Sequence, residues 1–157
     1  MTALPAMACV ALGANLGDAE LTIQHALQAV AALPHTQLIK ASSLYRSAPY
    51  EAQGPDFINA VALVQTKLTP LNLLHALQDL EIQSGRERPY KNAPRTLDLD
   101  LIFYGDLTLT LPELTLPHPR WSERAFVVLP LAQIWPERVT NAHLNAVQDQ
   151  VIERLNR

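Results

Sequence analysis

In the stretch Lys91-Asn92-Ala93-Pro94-Arg95-Thr96-Leu97-Asp98-Leu99-Asp100-Leu101-Ile102, a polar loop with a proline runs straight into alternating leucines and aspartates. A period of two points to an extended strand. Residues i and i+2 then face the same way, so Asp98 and Asp100 project together while Leu97, Leu99 and Leu101 project to the other side. One face must find a core, and the other is a platform of paired carboxylates. Such a pair repels itself unless a cation or a flanking arginine offsets the charge. Hard oxygen ligands at this spacing suit Mg²⁺, which takes one or two protein carboxylates and completes its shell with water and substrate phosphates. The plain alternative is an edge strand bearing two solvated acids. Arg86, Arg88 and Arg95 just upstream shift the balance, because a polyphosphate site needs cations beside its metal-binding pair.

The chain has 157 residues, 48% of them apolar, which is one domain in length and enough for a core without covalent staples. Twelve basic and fifteen acidic residues leave a formal charge of −3 with no block of one sign. That balance opposes a nucleic-acid or membrane-surface binder, which wants a clustered basic excess. Cys9 is the single cysteine and lies in the apolar run Met7-Ala8-Cys9-Val10-Ala11-Leu12, so it reads as a buried thiol. No apolar run reaches transmembrane length, and the N-terminus lacks the basic-then-apolar pattern of a secretory signal; a cytoplasmic location is expected.

Met7 to Leu12 reads as a buried strand, broken by Gly13-Ala14-Asn15-Leu16-Gly17-Asp18 before a helix from about 19 to 33. Gly17 or Asp18 is its expected cap, and Gly13 belongs to a structural turn, since neither glycine fits a phosphate-loop fingerprint. A second strand is expected from Leu38 to Tyr45 and a third from Phe57 to Gln65, joined by an irregular loop with two prolines and a glycine. Phe57 and Asn59 share a face of the third strand. An aromatic beside an amide suits a flat, amide-rich heterocycle, and suits a core position near a strand end equally well.

Thr69-Pro70 is a helix start and Gly85 a stop, with Leu73, Leu74, Leu77 and Leu80 as the apolar stripe. Gln78 and Glu81 stand one helical step apart, off the centre of that stripe. The segment 85–95 carries four cations and reads as a solvated loop or as a cover over bound phosphates. Beyond the central strand a small hairpin is expected around Leu107–Leu111. His118, between Pro117 and Pro119, is then held in an extended turn, and Arg124 and Phe126 open a short helix. The C-terminal segment with Leu144, Val147, Val151 and Leu155 reads as a packing helix. The order of elements predicts an α+β fold, a mainly antiparallel sheet in a ferredoxin-like arrangement with helices on both faces in α/β/α layers.

Several motifs together, in one order, resemble the family of 6-hydroxymethyl-7,8-dihydropterin pyrophosphokinases. They are the Gly-x-Asn-Leu-Gly turn at Gly13, the aromatic-x-Asn at Phe57, the small-Pro-Arg element leading to Asp98-Leu99-Asp100, Pro117-His118-Pro119-Arg120, and Glu123-Arg124-Ala125-Phe126. The resemblance covers about residues 13–137. It implies a single pyrophosphokinase domain over residues 1–157 and transfer of pyrophosphate from ATP to the hydroxymethyl group of the dihydropterin, with release of AMP, in folate biosynthesis. It also implies that Asp98 and Asp100 hold Mg²⁺, as two ions, and act in catalysis with Arg86 and Arg95. Gln78, Glu81, Arg88, Arg95, Ile102, Thr115, His118 and Arg124 are implied to serve ATP, and Ser47, Ala48, Tyr50, Phe57, Asn59 and Phe126 to line the pterin site. The partners are then those two small molecules, with no nucleic acid and no membrane, and the chain is expected to be a monomer. No residue stands out as a general base, so positioning and electrostatics are expected to carry the chemistry. From the residues alone, a ferredoxin-like nucleic-acid module or another Mg²⁺-dependent phosphotransferase or nucleotidyltransferase are the competing classes.

Overall fold

A computed structural model describes residues 4–49, 54–85 and 97–155. The apolar N-terminal run forms β1 (Ala6–Ala14), and the Asp18 carboxylate opens α1 (Ala19–Ala31) by accepting the Leu21 N–H at 3.1 Å. β2 (Thr36–Ala41), β3 (Tyr45–Ser47) and β4 (Phe57–Thr66) follow. α2 (Pro70–Ser84) has the boundaries its sequence predicts: Thr69 Oγ1 accepts the Asn72 N–H at 3.2 Å, Pro70 takes the first helical position and Gly85 ends the helix. β5 (Asp98–Tyr104) bears the carboxylates, and β6 (Leu109–Thr110) pairs with β7 (Thr115–Leu116) in the small hairpin. α3 (Ala125–Ile134), α4 (Asn141–Ala146) and β8 (Ile152–Arg154) follow in turn.

The main sheet runs β5-β1-β4-β3-β8, with β2 on the remaining half of β4, and its pairings are antiparallel. Alternation along the central strands divides the core in two. Ala8, Val10 and Leu12 of β1 gather with Ile23 and Val30 of α1 and with Leu73 and Leu77 of α2, whereas Cys9 and Ala11 gather with Val127, Leu131 and Ile134 of α3. The sheet therefore lies between α1 and α2 on one face and α3 on the other, the α/β/α layering expected. Leu97, Leu99 and Leu101 pack on the α1–α2 side, which turns Asp98 and Asp100 toward the α3 side. In β5, Leu101 pairs with Val10 and Phe103 with Cys9, so Ile102 is an extra residue; the bulge buries both Ile102 and Phe103 against α3.

Two elements differ from their sequence-based expectation. The strand expected over 38–45 is two strands, because the Ser42 hydroxyl accepts the Val61 N–H at 2.9 Å and replaces a backbone rung of the ladder there. The C-terminal segment is not one helix. α4 ends at Ala146, and β8 adds to the free edge of β3 with Tyr45 opposite Arg154 and Ser47 opposite Ile152. Spacing of apolar residues in that segment mimics a helical stripe, but unpaired backbone groups on β3 offer a stronger partner than a solvated helix would find. Among the described residues no helix is long and apolar enough to cross a membrane.

Candidate active site

α3 covers Cys9, Ala11, Val61 and Leu63 and then stops, which leaves the same face of the sheet open where the strands continue. Strand register decides what lies there. Gly13 of β1 sits directly between Asn59 of β4 and Asp98 of β5, and Ala11 between Val61 and Asp100. Phe57 and Asn59 are thereby brought onto one floor with the two aspartates, from positions some forty residues apart in the chain. Gly13, expected in a turn, is instead a strand residue at the centre of this floor. A Cβ built on it would lie 3.3 Å from Asn59 Oδ1 and 3.9 Å from the Phe57 ring, so glycine keeps the floor low between amide and carboxylate.

The floor opens into a cleft of about 380 Å³ walled by Ser47, Ala48, Phe57, Asn59, Arg124 and Phe126, with Glu81, Asp98 and Asp100 at one end. Asn59 is almost wholly buried and donates from Nδ2 to Ser47 Oγ at 2.7 Å, which sets the amide so that Oδ1 lies over Gly13. A second cleft of about 370 Å³ adjoins it, lined by Gln78, Thr115 and His118. Glu81 and Asp100 line both cavities, so the two spaces meet at these carboxylates.

Arg124, at the N-terminal boundary of α3, places its guanidinium 3.9 Å from Asp100 Oδ2 and 5.6 Å above the centre of the Phe126 ring. His118 is tied to β5 by its own N–H, which donates to the Ile102 carbonyl at 2.9 Å. Its Nδ1 accepts the Arg120 N–H at 3.1 Å, which leaves Nε2 as the protonated nitrogen of a neutral ring. Burial holds the His118 pKa below the ordinary imidazole range; Asp100 opposes that shift and Arg124 and Arg120 reinforce it. Glu81 braces the carboxylate strand by accepting the Leu99 N–H at 2.8 Å.

The structure thus brings together Ser47, Ala48, Phe57, Asn59, Glu81, Asp98, Asp100, Arg124 and Phe126 in one cleft and Gln78, Thr115 and His118 in its neighbour. It does not bring the Ile102 side chain to either, because Ile102, on the same face as Asp98 and Asp100, lies where α3 covers the sheet and is completely buried. Arg86, Arg88, Arg95 and Tyr50 lie outside the described residues, as does most of the cationic segment 85–95. Gly13 enters the motif pattern only as part of a turn; its place in the cleft is signalled by a glycine near the end of an otherwise apolar strand, which marks close approach of something to the backbone.

Among the described residues no group of three or more His, Cys, Asp or Glu side chains gathers, which does not match a closed four-ligand N/S centre. Asp98 is exposed and Asp100 partly so, two hard oxygen donors on one face beside open space. That fits Mg²⁺, whose remaining positions belong to water and phosphate.

Residues 9–136 match the family described as 7,8-dihydro-6-hydroxymethylpterin-pyrophosphokinase (HPPK). The chain is 47% identical over 129 residues to the 2-amino-4-hydroxy-6-hydroxymethyldihydropteridine pyrophosphokinase of Pseudomonas aeruginosa, covering 82% of this chain and 80% of that one. It is 42% identical over 128 residues to the enzyme of the same name from Haemophilus influenzae, covering 81% and 80%. In three dimensions it superposes on a triple mutant of Plasmodium falciparum HPPK-DHPS with a TM-score of 0.72 at 16% identity, over 92% of this chain and 45% of that longer one, a likeness of fold. A family match over most of the sequence and close relatives of similar length leave one conclusion: the chain belongs to the HPPK family of ATP-dependent pyrophosphokinases of folate biosynthesis.

Proposed function

We propose that the two adjoining clefts are the two substrate sites of the family reaction, with 6-hydroxymethyl-7,8-dihydropterin in the one floored by Gly13 and ATP in the one lined by Gln78, Thr115 and His118. The observation that carries this reading is their junction: Asp100 and Glu81 line both cavities, so a group handed from one to the other passes the carboxylate pair. In the first cleft Phe57 and Phe126 offer apolar ring surfaces, and Asn59 offers an amide oxygen already oriented by Ser47. A flat heterocycle with amide edges needs both.

Asp98 and Asp100 would hold Mg²⁺, as two ions, and Arg86 and Arg95 join them in catalysis. Mg²⁺, when bound there, neutralises phosphate charge and favours ionisation of the acceptor hydroxyl. Arg124 supplies fixed positive charge at the same junction, and its stacking on Phe126 orients that charge and the ring together. Neutral His118 presents Nε2–H as a donor toward the nucleotide cleft rather than as a base. Arg88 and Arg95 complete the phosphate contacts, and Tyr50 the pterin pocket. Ile102 serves the nucleotide through its main chain, which fits its buried side chain and the bond its carbonyl accepts from His118. Catalysis is assigned to in-line positioning and charge stabilisation, with no protein general base. Residues 1–157 act as one pyrophosphokinase domain, a cytoplasmic monomer.

The test is incubation of the purified chain with ATP, Mg²⁺ and 6-hydroxymethyl-7,8-dihydropterin, with chromatographic separation of nucleotides and an Asp98→Ala control. AMP that forms only with pterin and metal present, and disappears in the control, is the expected result. ADP in its place, or no pterin-dependent AMP, would overturn the reading.

A further inference from the structure

The C-terminal segment, beyond the residues that match the family, reaches both walls of the first cleft. Gln150 stands in the turn between α4 and β8, outside the cleft lining. Its side-chain amide is engaged at both ends: Oε1 accepts the Ala125 N–H at 2.8 Å, and Nε2 donates to the Glu123 carbonyl at 2.7 Å. Ala125 opens α3, so its N–H has no acceptor within the helix, and Arg124 beside it has no side-chain cap of its own. The two bonds straddle Arg124 and hold its extended backbone, φ −120° and ψ 113°, at the point where the chain turns into the helix.

The next residue completes the link. The Val151 carbonyl accepts the Ala48 N–H at 3.1 Å, and β8 then pairs with β3 up to Ser47. Two consecutive residues therefore tie the wall that carries Arg124 and Phe126 to the wall that carries Ser47 and Ala48. A side cavity of about 160 Å³ between Gln150, Val151, Ser47, Ala48 and Phe126 marks the seam. The Gln133 side chain also ties α3 to Ser43 and Tyr45, but at the opposite end of the helix, so Gln150 and Val151 make the link at the turn that carries Arg124.

We infer that Gln150 is a positioning residue for the transfer reaction: it touches neither substrate, and it fixes the turn from which Arg124 and Phe126 enter the cleft, in register with Ser47 and Ala48. The inference rests on the reading that Phe126, Ser47 and Ala48 bound the dihydropterin. Without Gln150 the far end of α3 stays tied to the β3 side through Gln133, but the turn at its N-terminus loses its fixed position against Ser47 and Ala48, and the cleft no longer holds the ring at one width.

Dihydropterin affinity and steady-state kinetics are to be measured for the unsubstituted chain, Gln150→Met, Gln150→Glu and Glu153→Gln, all well below their melting temperatures. Gln150→Met keeps the volume and removes both bonds; a rise of about tenfold in the dihydropterin Kd and KM is expected, the loss of two neutral hydrogen bonds. Gln150→Glu retains the acceptor for the Ala125 N–H and is expected to recover part of that loss. Glu153→Gln removes the charge from the 2.9 Å pair between β8 and Arg46 of β3, outside the cleft lining, and should leave affinity unchanged whatever it does to melting. Unchanged dihydropterin affinity in Gln150→Met, beside an unsubstituted chain that binds, would reduce Gln150 to a structural cap and overturn this inference alone. If the unsubstituted chain does not bind dihydropterin, the pocket assignment fails first and takes the inference with it. Should Gln150→Met not fold, the same comparison between Gln150→Glu and Glu153→Gln decides.

Discussion

The Glu81 carboxylate accepts the Leu99 N–H at 2.8 Å, so a side chain of α2 grips the β5 backbone between Asp98 and Asp100. Among the described residues β5 ends its sheet with β1 beside it, and Glu81 takes the place of a further strand at Leu99. Removing it as Glu81→Ala leaves a partly buried N–H and loosens the carboxylate pair. A loss of roughly ten- to a hundredfold in kcat is expected, on the scale of a hydrogen bond to a charged group. Glu81→Gln keeps an acceptor and should restore much of it. Equal kinetics for Glu81→Ala and the unsubstituted chain would show that β5 holds its shape unaided.

Gly13 offers a test of what passes over the floor. Its backbone is not in the left-handed region, so Gly13→Ala is free of conformational strain, and alanine in a strand is favoured by roughly 0.5–1 kcal/mol. The added methyl group meets Asn59 Oδ1 at 3.3 Å and rises into the cleft. Melting temperature should hold or rise slightly while dihydropterin affinity falls by about tenfold, the penalty of overpacking a fitted site. Calorimetry and equilibrium binding on the same sample check both halves, and a fall in both together would mean that the fold, not the ligand, resents the methyl group.

Asp98→Asn and Asp100→Asn keep size and remove charge. Each is expected to lower kcat by about 10²–10³, the scale set by loss of one preorganised electrostatic group, and chelation of divalent cations should abolish turnover until Mg²⁺ is restored. Asp100→Asn also releases Arg124 from its 3.9 Å partner, so it should disturb ATP affinity more than Asp98→Asn does. Titration of each variant with Mg²⁺ under turnover separates a weakened metal site, rescued at high concentration, from a displaced arginine, which is not.

Tyr45 reports on the seam between β3 and α3. Its hydroxyl donates to Gln133 Oε1 at 2.8 Å; burial raises its pKa above the ordinary phenol value, and Arg154 partly opposes the shift. Because the folded chain holds this proton more tightly than the unfolded one, the associated stability is complete below about pH 10 and is lost as pH rises through the folded value. The difference in phenolate absorbance between the folded chain and Tyr45→Phe should show Tyr45 ionising above the ordinary phenol range. An Arg154→Gln change should move that ionisation later still, and an earlier one would contradict the assigned cause.

Local chemistry alone determined much of the framework. Alternation from Leu97 to Leu101 sets which side of β5 is oily, Asp18 and Thr69 set the helix starts, and the motif order points to the family. Each of these depends on neighbours within a few residues, where sterics, capping and period leave little choice. Other features were decided by contacts between distant segments. Gly13 became the cleft floor only through its register with Asn59 and Asp98; Phe103 joined Ile102 against α3 because β5 gains a residue against β1; the last segment became a strand because β3 had an open edge. Gln150 and Glu81 acquired their roles from backbone groups 25 and 18 residues away. Pairing across such separations is selected by the free energy of the whole packed arrangement, and no window of the sequence contains it.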